Sequence, residues 1–88
     1  MNQTHHVTLK ILRLKEVQTR SGESRSSIYK KIADGLFCRP IRLGARAVGC
    51  PEHEVQAILA ARIAGQSNEQ IKALVASLNT ERSTLSKK

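Results

Sequence analysis

A small, mainly helical domain carrying one β-hairpin is the fold class this sequence predicts, on three observations. The first is a pair of short helical patterns, at residues 14–20 and 24–33, separated by Ser21-Gly22-Glu23. The second is a stretch from 36 to 43 in which apolar and basic residues alternate, followed by a turn at Gly44-Ala45-Arg46 and a short returning strand at Ala47-Val48-Gly49-Cys50. The third is charge: 15 Lys and Arg stand against 7 Asp and Glu, a net +8, and residues 10–46 hold ten of the bases against three of the acids. Two helices with a glycine between them, a ribbon tipped by arginine and a positive half-chain together describe a winged helix-turn-helix, followed by an additional C-terminal helix. The expected organisation is an N-terminal arm over 1–11, the winged helix-turn-helix over 12–66, the additional helix over 67–80 and a flexible tail over 81–88.

Residues 1–6 are polar, and Val7-Thr8-Leu9-Lys10-Ile11-Leu12 reads as an opening strand or packing arm. Leu14 and Val17 have helical spacing, and Gly22 falls where a helix ends in a left-handed residue. Ser24 is suited to cap a second helix, because its hydroxyl accepts from a backbone N–H that the first turn leaves unpaired. Ile28 and Ile32 then share one face, while Arg25, Ser26, Ser27, Lys30 and Lys31 cover the rest, so one side can pack and the other can meet a polyanion. Tyr29 is left with two readings, a phosphate contact or a core side chain. Gly35 should close this helix.

The ribbon follows, with Ile41, Leu43 and Val48 expected to pack on the helices. Pro40 restricts the ribbon to an edge, because it offers no ladder donor. Arg42 and Arg46 flank its tip without acidic neighbours. Pro51 opens a third helix, in which Glu52 and Glu54 complement the positive end of the dipole and Val55, Ile58, Leu59 and Ile63 form the core face. Ser67-Asn68-Glu69-Gln70 is a capping box for the fourth, which has Ile71, Leu74, Val75 and Leu78 on one side. That stripe either closes a thin core or joins neighbouring protomers.

Eighty-eight residues bury only about 60–65% of the unfolded-chain surface, which leaves no room for a deep catalytic cleft. No nucleophile–base–acid constellation or phosphate-cradling glycine loop can be drawn, so the chain reads as a non-enzyme without cofactor. His5, His6, Cys38, Cys50 and His53 lack metal-ligand spacing, and no metal is expected. Two cysteines without a signal peptide point to a reducing cytoplasm, and no apolar run reaches the roughly 18 residues a membrane span needs.

Leu14-Lys15-Glu16-Val17, Gly22 to Tyr29, Gly35-Leu36-Phe37, Arg39 to Gly49 and Glu54-Val55 are similar, in one register over about residues 12–64, to the AlpA family of prophage regulators. The chain departs from that pattern at Cys38 and Cys50 and continues past its usual end. The resemblance implies a winged helix-turn-helix akin to the MerR and excisionase groups, encoded by a prophage or genomic island and associated with the bacterial nucleoid when bound. By position, residues 24–31 become the major-groove helix and 42–46 the wing tip, giving Ser24, Arg25, Ser26, Ser27, Tyr29, Lys30, Lys31, Arg42 and Arg46 as DNA-binding residues.

The function expected first is an excisionase, a recombination directionality factor that bends attachment-site repeats in double-stranded DNA for a site-specific integrase, with neighbouring protomers on the DNA. A transcriptional activator or repressor at the integrase promoter is the alternative. A protein-interaction adaptor that does not bind DNA is the second.

Overall fold

The computed structural model describes residues 9–85. The N-terminal arm up to Thr8, with His5 and His6, therefore lies outside the described residues. In chain order the elements are β1 (Ile11–Arg13), α1 (Leu14–Ser21), α2 (Arg25–Ala33), β2 (Ile41–Arg42), β3 (Val48–Pro51), α3 (Glu52–Ile63) and α4 (Asn68–Leu85). Four helices thus surround a small antiparallel sheet, within extents of 39 × 35 × 21 Å.

The sheet has three strands rather than the two of a simple hairpin. Its order is β1-β3-β2, with Leu12 opposite Cys50 and Ile41 opposite Gly49. β1 turns Leu12 inward and leaves Ile11 and Arg13 outside, the period-two pattern of a half-buried strand. The outgoing ribbon is shorter than its alternation suggested, because Phe37 and Cys38 are adjacent in sequence and both buried. A strand would have pointed them to opposite faces. Residues 36–40 instead form an irregular link that plugs the core, and pairing begins only at Ile41. Leu43 stays on the surface, and Ile41 and Val48 are only half-buried, outside the set packed on the core, so the ribbon covers the helices less than expected.

Gly49 is required by the middle strand. A Cβ built there would lie 2.6 Å from Ile11 Cγ2 and 2.7 Å from the Leu12 carbonyl oxygen, which is backbone and cannot swing aside.

The core is aliphatic: Leu12, Val17, Ile28, Val55 and Ile58 are essentially inaccessible and meet Ile71, Val75 and Leu78 of α4. The α4 stripe therefore closes its own domain. Both ends of α4 have a physical cause. The Ser67 hydroxyl accepts from Gln70 N–H at 3.2 Å, and the Gln70 side chain accepts from Ser67 N–H at 2.9 Å, a reciprocal capping box. At the other end the helix continues to Leu85, into the residues expected to form a tail, because Arg82 is tied to the interior.

α3 differs most from expectation. Its buried face is Glu54, Val55, Ile58 and Ala61, whereas Ile63 is 87% exposed. Glu54, expected to be a solvated dipole partner, is 0% exposed and held by Arg82 of α4 at 2.7 and 2.8 Å. The stripe is rotated toward Glu54 because a distant arginine compensates its charge.

Gly49→Ala is expected to destabilise the fold by roughly 1–3 kcal/mol in urea denaturation; an unchanged midpoint would mean that the strands do not approach so closely. Removing residues 67–88 strips Ile71, Val75 and Leu78 from the core and leaves Glu54 unpaired. A loss of at least about 3 kcal/mol, seen as a collapse of cooperative thermal unfolding, is expected.

Candidate nucleic-acid interface

The candidate surface begins at the turn between α1 and α2. Gly22 adopts φ 71°, a left-handed conformation that costs glycine nothing, and its N–H donates to the Gln18 carbonyl at 2.8 Å. Glu23 N–H donates to Ser21 Oγ at 3.3 Å, and Ser24 Oγ then accepts from Ser27 N–H at 3.2 Å to start α2. Three short-range devices thus reverse the chain within three residues and set the second helix across the first.

α2 is nine residues long, about 14 Å at 1.5 Å per residue, a length that lies readily in a groove about 12 Å wide. Ile28 anchors it in the core. Ser24, Arg25, Ser26, Ser27, Tyr29 and Lys30 are exposed. Tyr29 is 37% exposed and lies under the Arg25 guanidinium, 5.7 Å from ring centroid to cation, so the core reading of this residue is withdrawn. Lys31 is turned to the side, where it forms an ion pair with Glu23.

The hairpin carries the second group. Leu43 N–H and Gly44 N–H both donate to the Ala47 carbonyl, at 2.7 and 3.3 Å, closing a loop in which Arg46 is exposed, with exposed Arg42 on the strand beneath. The two groups meet. A cleft of about 190 Å³ is lined by Arg13, Leu14, Lys15, Arg25, Arg46 and Val48, bringing the first residue of α2 and the hairpin tip to one hollow. Arg13 and Lys15 also line a second, larger hollow of about 540 Å³ beside β1 and α1, with Lys10, Glu16 and Thr19.

The acids of the basic half are engaged elsewhere. Glu16 and Glu52 both hold Arg20, raising its already high pKa chiefly through the hydrogen bond with Glu52 and then that with Glu16. Glu23 holds Lys31, and Asp34 stands 3.8 Å from Lys30. Among the described residues, Arg13, Lys15, Arg25, Arg42 and Arg46 form no ion pair. The 190 Å³ cleft is consequently lined by four cations and no carboxylate, a surface suited to phosphate oxygens.

Comparison with known proteins agrees with this geometry. Residues 10–63 match the family described as Prophage CP4-57 regulatory protein (AlpA). The chain belongs to the AlpA family. A relative from Enterobacteria phage P4, described as "Uncharacterized protein ORF88", is 42% identical over 57 residues, which span 65% of this chain and 65% of that protein. No solved structure matches the chain. The AlpA segment includes α1, α2, the whole sheet and α3, hence every residue of the cationic cleft, and it ends before α4.

Arg13 and Lys15, which the sequence sets where the first helix would approach a backbone phosphate without counting them among the DNA-binding residues, both belong to the cleft. Their signal was a run of bases at the start of the first helix. What placed them was the pairing of β1 with β3, which brings the start of α1 beside the hairpin.

Cys38 and Cys50 lie at the root of the hairpin, both free and buried, with the Cys50 thiol 3.9 Å from the Cys38 carbonyl oxygen. The hydrogen bond with Cys50, and then burial, push the Cys38 thiol above the usual thiol range, while the same bond lowers the Cys50 thiol against its burial, so it is inaccessibility that shields Cys50. Neither thiol should react with iodoacetamide at neutral pH in the folded protein, and both should react in denaturant, as mass spectrometry would resolve; rapid native labelling of either would contradict the burial.

Proposed function

We propose that this AlpA-family protein binds double-stranded DNA, placing α2 in the major groove and the Arg42–Arg46 loop against the adjacent minor groove. The observation that carries the reading is the shared cleft in which Arg25 of α2, Arg46 of the hairpin, and Arg13 and Lys15 of α1 converge without a carboxylate. Arg25, Ser26, Ser27 and Lys30 are assigned to base edges or nearby phosphates, Ser24 and Tyr29 to the flanking backbone, and Lys31 to a phosphate in exchange with Glu23. Two contact points on either side of a groove favour DNA that curves toward the protein.

In biological terms the reading is an excisionase that occupies repeated attachment-site sequences, bends them and so assists a site-specific integrase. The chemistry then belongs to the integrase, and this protein acts in the cytoplasm as an architectural factor without cofactor, metal or catalysis of its own. Regulation of transcription at the integrase promoter is the second reading, favoured by the description of the family as regulatory. Reconstituted excision with integrase, set beside a promoter reporter lacking integrase, separates the two.

Binding to duplexes from the genomic segment flanking the gene is expected to weaken steeply between about 50 and 200 mM salt, because each neutralised phosphate releases counterions. Arg25→Ala should cost roughly 1–3 kcal/mol on the preferred duplex and less on random sequence, while Lys31→Ala should weaken both alike. A salt-independent affinity would end the phosphate-contact reading.

A further inference from the structure

Residues 36–40 are the link from α2 to β2, and their carbonyls are gripped by side chains from three other elements. Arg62, in the last turns of α3, donates to the Leu36 carbonyl at 3.4 Å. Cys50 of β3 offers its thiol to the Cys38 carbonyl at 3.9 Å. Arg82 of α4 donates to the Arg39 carbonyl at 2.7 Å. That last contact stands two residues before β2, which is itself a two-residue edge strand preceded by a proline without an N–H. The hairpin therefore has little pairing of its own at this end, and the Arg39 carbonyl is its nearest fixed point.

The same Arg82 guanidinium is locked from behind. Its Nε donates to Glu54 Oε2 at 2.8 Å and its Nη2 to Oε1 at 2.7 Å, and Glu54 is wholly buried in α3. A planar fork held at two points along its Nε–Nη2 edge by a buried carboxylate has a fixed plane, so the bond that the same Nη2 donates to the Arg39 carbonyl has a set direction. Arg82 lies outside the segment that matches the AlpA family, whereas Glu54, Arg39 and the hairpin lie inside it.

We infer that Arg82 is a positioning residue for the wing: by bridging Glu54 to the Arg39 carbonyl, α4 fixes where Arg42 and Arg46 stand relative to α2. The inference rests on the reading of the hairpin as a DNA-contacting wing. Arg82 touches no DNA in this scheme and acts through the link alone.

The test is Arg82→Lys, which keeps the charge against Glu54 but cannot hold the carboxylate at two points and the carbonyl at once. Amide hydrogen exchange of the free, full chain supplies a readout that a merely structural role would not move. Protection of the Leu43 and Gly44 amides, which bond the Ala47 carbonyl, is expected to fall about tenfold more than that of Ile28 in α2. A uniform fall, or none, overturns the proposal. Should Arg82→Lys fail to fold, the pair Glu54→Leu with Arg82→Leu removes both charges from the interior and leaves only the Arg39 carbonyl without its donor, and the same comparison is made on it. On DNA, Arg82→Lys should weaken binding to the flanking-segment duplex about as much as Arg46→Ala, and the two combined should lose little more than either alone. If Arg46→Ala weakens binding and Arg82→Lys does not, the positioning role falls. If neither these nor Arg25→Ala affects binding while the hairpin amides still lose protection, it is the interface reading that falls.

Discussion

A carboxylate with no solvent exposure, in a domain whose core is a thin layer of aliphatic side chains, must have a counter-ion. Removing one partner of a buried pair typically costs about 3–5 kcal/mol, a large share of the stability of a chain this size. Glu54 meets that requirement through Arg82, 28 residues further on, and the consequences run through the molecule. The rotational phase of α3 places Glu54 inward and Ile63 outward. The length of α4 carries Arg82 past the last apolar contact to reach it. The hydrogen bond raises an already high arginine pKa, so the cation persists across the range in which the protein is folded.

The distribution of charge on the outer surface follows from a similar economy of acids. Glu16, Glu23 and Asp34 are the carboxylates of the basic half, and each faces a base: Arg20, Lys31 and Lys30. Two of the resulting bridges are also struts, for Arg20 ties α1 to the start of α3 through Glu52, and Lys31 ties α2 to the turn through Glu23. With the acids so placed, Arg13, Lys15, Arg25 and Arg46 collect around one cleft without a partner. Their mutual repulsion lowers stability in isolation and is relieved by a polyanion, so the surface that costs the free domain most is the one that gains most on binding.

Features written in short-range code were legible in the sequence. The Ser24 cap, the left-handed Gly22 and the Ser67–Gln70 box each depend on residues within a few positions, and each lies where the pattern put it. The α4 stripe was equally legible, because an i, i+4, i+7 run at Ile71, Val75 and Leu78 has one helical solution. What the sequence concealed depends on distant partners. The pattern around residue 11 suggests a strand or arm but not its partner, and the third strand forms only when Ile11–Arg13 finds Val48–Pro51. Glu54 resembles any first-turn acid until Arg82 is brought to it. Phe37 and Cys38 resemble a strand alternating with arginines until the core is seen to need both. The candidate site follows the same rule: Arg25, Lys30 and Arg46 stood out as bases on the outward face of α2 and at the hairpin tip, whereas Arg13 and Lys15 join Arg25 and Arg46 around one cleft only through the sheet.

The location of the support relative to the surface it supports has a mechanical meaning. Every cleft residue belongs to the AlpA segment, yet one clamp on the link between α2 and the hairpin comes from α4, outside it. A recognition helix and a wing read DNA as a pair, so the span between them decides which phosphates can be reached together and how far the duplex must bend to reach both. α2 is anchored directly in the core by Ile28, and β3 lies in the middle of the sheet, whereas the outgoing arm β2 is held through two residues of edge pairing and the carbonyls of the link before it. The outgoing arm is thus the part of the hairpin with the least pairing of its own, and the helix added beyond the shared segment is attached there.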